Sequence, residues 1–210
     1  MVNVDAINCL PEPLPGFEGI RRYWDGTRHM PAAKILPGEY YVTAQNEVIT
    51  TVLGSCISAC VQDRVNRIGG MNHFMLPISE DGKWEGAGDN SGSATRYGNY
   101  AMEHMINGIL EHGGVRRNLE VKVFGGGRII SDMGDIGNNN IDFIREYLRL
   151  EGLPLVGEDL GGSYPRKVVY LPAIGRVWIK RIETLHNDTL LRRERLYKQN
   201  IENRPVYKGA

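Results

Sequence analysis

The sequence predicts one domain of mixed α/β class, a layered sandwich of mixed β-sheets packed against two main helices. Three observations carry that expectation. Short apolar runs bounded by Gly, Asp, Asn or Pro occur before residue 77 and again after residue 153, which is how strands appear in a sequence. Two stretches between them, around 97–112 and 138–152, space their apolar residues at three and four positions, the period of an amphipathic helix. The 210 residues are enough to bury one substantial core.

Taken in order, residues 1–32 carry Pro11, Pro13, Pro15 and Pro31 and read as an irregular arm. Phe17, Tyr23 and Trp24 within it are expected to pack the arm onto the domain, because a free linker is poor in aromatics. The domain proper is expected over 33–182. It opens with short strands at Lys34–Leu36 and Glu39–Thr43 around a Pro37-Gly38 turn. A hairpin follows, Ile49 to Asp63 and Gly69 to Pro77, and then a polar loop over 78–94 in which Trp84 is the large apolar group.

Met102, Met105, Ile106, Ile109 and Leu110 mark the first helix, which Gly113-Gly114 stops; His104 and His112 fall off its apolar stripe and are expected to face solvent. Leu119, Val121 and Val123 alternate with Glu120 and Lys122 as a half-buried strand running into Gly125-Gly126-Gly127. Asn138, Asn139 and Asn140 offer N-cap side chains to a second helix carried by Ile141, Ile144 and Leu148 and closed at Gly152. Strands are expected over 155–159, 167–171 and 176–182, and a charged tail, read as a solvated terminal helix, over 183–210.

Charge and composition exclude several classes. The 25 basic and 25 acidic residues cancel, so no global field favours nucleic acid or an anionic membrane. No apolar run approaches the roughly 18 residues of a membrane span, and the N-terminal residues lack the basic head and apolar stretch of a signal peptide. Three cysteines, Cys9, Cys56 and Cys60, form an odd set suited to a reducing compartment, so a cytoplasmic protein is expected. The glycine triplet has no Gly-x-x-x-x-Gly-Lys-Ser/Thr context, which argues against a nucleotide. Cys56, Cys60 and His73 would supply three metal ligands without paired spacing, so neither a metal nor a cofactor is expected.

The hairpin carries the chemistry. If its turn is centred on Arg64 and Val65, antiparallel pairing sets Cys56 opposite His73, on one face and close enough for a thiol to meet an imidazole. An imidazole that takes the thiol proton makes a nucleophile able to open an amide or ester carbon. The alternative is a buried Cys56 that serves only as a small hydrophobe, with His73 a satisfied sheet residue. Asn72 alternates to the other face and stays outside the set.

Four motifs in register decide between the two. Thr51 to Cys56 (Thr-Val-Leu-Gly-Ser-Cys), Gly69 to Pro77 (Gly-Gly-Met-Asn-His-Phe-Met-Leu-Pro), Arg96 to Glu103 and Lys122 to Gly127 together resemble CheD, the chemoreceptor glutamine deamidases of bacterial chemotaxis, over about residues 33–182. The resemblance implies cysteine-dependent hydrolysis of glutamine side-chain amides on the cytoplasmic helices of chemoreceptors to glutamate and ammonia. A thioester intermediate is implied with it, and methyl-glutamate ester hydrolysis as a related activity. It implies Cys56 as nucleophile, His73 as base, and an upstream threonine that orients the imidazole; the offset from Cys56 favours Thr50, with Thr51 the runner-up. The Gly125 to Gly127 turn is expected to shape the active centre, and the backbone N–H groups around Cys56, beside Gly54, are candidates for holding an oxyanion. A different class of role is a non-catalytic regulatory partner of a CheC-like phosphatase, which would not need the thiol.

Overall fold

The structure is a computed structural model and describes residues 10–76, 93–129, 135–182 and 189–202. Two five-stranded mixed sheets make up its β structure. The first orders β1 (Arg21–Asp25), β2 (Met30–Lys34), β4 (Val48–Leu53), β9 (Arg166–Leu171) and β10 (Arg176–Arg181) side by side. The second orders β3 (Tyr40–Thr43), β6 (Ile68–Asn72), β5 (Ile57–Asp63), β7 (Leu119–Gly125) and β8 (Leu155–Leu160). Each contains one parallel pair, β2 with β4 and β7 with β8. The helices are α1 (Ser93–Glu111), α2 (Ile136–Leu150) and α3 (Thr189–Glu202).

Strand alternation sorts the side chains into layers. On the first sheet Ala33, Ile49, Leu53, Val168 and Tyr170 enter the main core, whereas Ala32, Val48, Val169 and Leu171 form a small cluster on the outer face. On the second sheet Asn72 points to α1, where its amide bonds Ala101 O at 3.1 Å. Its alternate Met71 therefore points toward the first sheet, from which Tyr170 reaches across to bond Val61 O at 3.1 Å. The second sheet thus lies between the first sheet and the two main helices, and the core fills both seams.

The expected strands at 155–159, 167–171 and 176–182 form as β8, β9 and β10, and both main helices form. His104 is exposed, while His112 is half-buried and its Nδ1 lies 2.8 Å from Gly108 O. Other expectations need correction. Residues 21–32 are not irregular: β1 and most of β2 lie there, and Pro31, which has no N–H to give, is accommodated near the start of β2. The strands on either side of Pro37-Gly38 do not pair with each other, since β2 belongs to the first sheet and β3 to the second. The three asparagines do not cap α2, which begins at Ile136; Asn140 is buried inside it. The tail helix forms as α3 but is not simply solvated, because Glu194 and Ile201 are buried against the domain. The expected loop over 78–94 and Trp84 lie outside the described residues, apart from its last two positions, where α1 has begun.

Candidate active site

The apolar run from Ile49 to Val61 is not one strand. β4 ends at Leu53 in the first sheet and β5 begins at Ile57 in the second, so Gly54, Ser55 and Cys56 make the crossing between sheets. Cys56 is therefore held in a backbone turn at a seam, not midway along a ladder.

The hairpin register differs from the expected one by two residues. Asp63 pairs with Ile68 and Cys60 with Met71, not Gly69. The cause is local: Asp63 Oδ1 accepts the N–H groups of Val65 and Asn66, both at 2.8 Å, and so draws residues 64–67 into a wider turn. An even shift keeps every side chain on its face. Ile57 and Phe74 exchange both backbone hydrogen bonds at 2.9 Å, and Cys56 and His73 flank that bridge, one on each strand. They are diagonal neighbours on the face toward the first sheet, at a Cα spacing of about 7–8 Å in such pairs, and not directly opposed.

The two threonines part by alternation. Thr51 shares the inner face of β4 with Ile49 and Leu53, and its Oγ1 lies 2.7 Å from His73 Nδ1. Thr50, which the offset from Cys56 favoured, shares the outer face with Val48, and its Oγ1 donates to Val168 O at 2.9 Å. Thr51 Oγ1 also lies 2.9 Å from Ile35 O. A hydroxyl has one proton, and a carbonyl can only accept; that proton goes to Ile35, so Thr51 accepts from His73 Nδ1–H. The tautomer follows: His73 Nε2 carries the lone pair. Among the described residues Nε2 has no hydrogen-bond partner, although it is buried. Burial without a counter-charge pushes the imidazole down to about 3 and keeps it neutral.

The crossing is tied by its carbonyls. Gly127 N–H donates to Gly54 O at 2.7 Å, Gly126 N–H to Cys56 O at 2.8 Å, and Asn140 Nδ2 to Ser55 O at 2.9 Å. Asn140 Oδ1 in turn accepts Leu76 N–H at 2.8 Å. The engaged Gly54 carbonyl fixes the peptide plane that carries the Ser55 N–H, and the N–H groups of Gly54, at the end of β4, and of Ser55 point to a common site. There they meet the Glu194 carboxylate of α3: Gly54 N to Oε1 is 2.8 Å, Ser55 N to Oε1 is 3.0 Å, and Ser55 Oγ to Oε2 is 2.8 Å. The Cys56 N–H and thiol lie close to the same carboxylate, near enough for its charge to act on the thiol. Burial first, and the Glu194 charge second, hold the thiol well above its usual range. Gly125 is required here, since at φ +116° a Cβ would stand 2.0 Å from Cys56 O, while a Cβ on Gly54 would stand 2.4 Å from Glu194 Oε1 and push that side chain aside.

Sequence reasoning reached Cys56 and His73 and missed Asn140 and Glu194. Asn140 stood in view as a capping residue, and its burial within an amphipathic helix carried no sequence signal. Glu194 stood in a charged tail, where its place in the stripe Leu190, Glu194, Tyr197, Ile201 was the available clue.

Comparison with known proteins adds the family. A family model described as CheD chemotactic sensory transduction matches residues 75–181. A protein of Halorhodospira halophila named "Probable chemoreceptor glutamine deamidase CheD" is 54% identical over 199 residues, covering 94% of this chain and 91% of that relative. Proteins of the same name from Hahella chejuensis and Methylobacillus flagellatus are each 50% identical, covering 93% and 88% of this chain and 92% and 90% of their own lengths. The family model begins beyond Cys56 and His73, whereas the pairwise matches are too long to leave either residue out.

Proposed function

Because the chain belongs to the CheD family, we propose that it is a chemoreceptor glutamine deamidase that works through Cys56, His73 and Thr51, converting receptor glutamine to glutamate and ammonia. The observation that carries this reading is the buried imidazole whose Nδ1–H is committed to Thr51 while Nε2 keeps a free lone pair on the face it shares with Cys56.

Nε2 takes the thiol proton as Sγ attacks the glutamine amide carbon. The oxyanion that forms accepts from the N–H groups of Gly54, Ser55 and Cys56; the bonds to Gly54 O and Ser55 O fix the peptide planes of the latter two before substrate arrives. The imidazolium returns its proton to the departing ammonia and leaves a thioester. Water, deprotonated by the same nitrogen, then hydrolyses the thioester to glutamate and free thiol. Thr51 is neutral, so it fixes the tautomer without stabilising the imidazolium as a carboxylate would. The charged pair is therefore short-lived.

The substrate side chains of this reading lie on receptor helices exposed to the cytoplasm, so the enzyme works from that side. No helix among the described residues is long and apolar enough to cross a membrane.

Mass spectrometry of a chemoreceptor cytoplasmic fragment incubated with the native chain and with Cys56→Ala tests the reading. Glutamine-to-glutamate conversion is expected from the native chain alone. No conversion on several receptor fragments, with the protein folded and Cys56 reduced, sinks it.

A further inference from the structure

Glu194 has no part in the chemistry above, yet it fills the place where that chemistry occurs. It is 1% exposed. A buried carboxylate is costly unless its oxygens are satisfied, and here one oxygen accepts from two adjacent backbone N–H groups at 2.8 and 3.0 Å while the other meets the Ser55 hydroxyl at 2.8 Å. Those are the distances at which oxyanion donors act. The same carboxylate lies close enough to the thiol for its charge to act on it, and His73 Nε2 is left without a partner among the described residues. Glu194 thus takes the donors away from a substrate and stands beside the nucleophile.

The element that presents it is a helix. Leu190, Glu194, Tyr197 and Ile201 recur at spacings of four, three and four and form one face of α3. Ile201 is buried, and Tyr197 Oη lies 2.5 Å from Tyr97 Oη, with its ring against Gly38. A glutamyl side chain reaching from a helix face into the N–H cluster beside Cys56 has the length and end group of the product of glutamine hydrolysis.

We infer that α3 is an in-cis stand-in for the substrate helix: the N–H groups of Gly54, Ser55 and Cys56 with Ser55 Oγ form the subsite for a glutamine side chain projecting from a helix, and Glu194 occupies it as a product mimic that an incoming helix must displace. The inference rests on the deamidase reading for the identity of the competitor. Ser55 Oγ can accept as well as donate, so it can meet the amide NH₂ of glutamine as it meets a carboxylate oxygen.

The full chain tests this through two substitutions. Glu194→Gln places an amide in the subsite. Cys56 Sγ attacks its side-chain carbon, ammonia leaves with the thiol proton, and water hydrolyses the thioester, restoring Glu194 and the thiol. Intact mass and peptide mapping are expected to show the introduced amide at position 194 turning into a carboxylate, and Glu194→Gln combined with Cys56→Ala is expected to retain the amide. Glu194→Ala opens the subsite. If α3 covers it nine-tenths of the time, alkylation of Cys56 by iodoacetamide rises about tenfold, and KM for a receptor fragment falls by about the same factor. Circular dichroism of each variant confirms the fold. Persistence of the amide in the single variant, or an Ala variant whose Cys56 is alkylated no faster while receptor deamidation continues, overturns the inference and leaves the deamidase reading standing. Conversion of the amide and faster alkylation in a protein that deamidates no receptor fragment support the subsite and count against the receptor reading instead.

Discussion

Thr50 and Thr51 have the same side chain and adjacent positions, and strand alternation alone gives them different work. Thr51 Oγ1 meets His73, while Thr50 Oγ1 bonds Val168 O on the other face of the sheet. Replacing each by the near-isosteric Val separates the consequences. Thr51→Val frees the imidazole to change tautomer and is expected to lower kcat on a receptor fragment by ~10- to 100-fold, within the range of general-base effects. Thr50→Val removes a side-chain hydrogen bond from Val168 O, which keeps its place opposite Thr51 in the strand ladder, and is expected to cost about 0.5–1.5 kcal/mol in urea unfolding with kcat largely kept. Equal losses of kcat in the two variants would remove Thr51 from its positioning role.

At the scale of elements, the three-residue crossing from β4 to β5 matters more than either strand. It is short, it joins two sheets, and its carbonyls are claimed by the Gly126-Gly127 turn and by Asn140 of α2. Asn140→Ala leaves Ser55 O and Leu76 N–H without their partner, and each buried orphan costs about 1–3 kcal/mol. The N–H cluster would also lose its aim, and displacement on the order of 1 Å in a catalytic group can cost ~100-fold in rate. The expected result is a lower urea midpoint together with a fall in kcat larger than that of a surface substitution on α2 such as Arg145→Ala. A lower midpoint with native kcat would make Asn140 a stability residue alone.

Taken whole, the molecule keeps His73, the proposed base, neutral by burying it between two sheets. In the folded chain His73 is pushed down to about 3, against an ordinary value near 6.5 once unfolded. Between those values the unfolded chain binds the proton and the folded chain does not, so the contribution of His73 is full above pH 6.5 and is lost as pH falls toward 3. The slope is at most about 1.4 kcal/mol per pH unit. Urea unfolding at pH 7, 6 and 5 is expected to show that loss in the native chain and a flatter dependence in His73→Gln; parallel curves would mean that His73 titrates normally in the fold. The two sheets are clamped elsewhere by Glu47, which accepts Arg22 Nε of β1 at 2.7 Å and Tyr41 Oη of β3 at 2.8 Å. That clamp holds the residues expected to be an irregular arm against the sheet that faces the site.

How much of this was legible follows from the range of each interaction. Periodicity and local spacing acted within single elements, and they determined the mixed α/β class, the helices, the later strands, and the face shared by Cys56 and His73, which survives a two-residue change of register because the strand period is two. The motifs around Cys56 and His73 carried the family. Long-range contacts had no local trace. Only the tertiary structure decided that Thr51 meets the imidazole, that the apolar run breaks at Gly54 to change sheets, that Asn140 holds the loop from another helix, and that Glu194, 138 residues from Cys56 in the chain, lies against its thiol. A sequence records which groups a chain owns and how they repeat along it; which distant groups share a buried volume depends on how the layers close, and there burial, not chemical type, sets what each group can do.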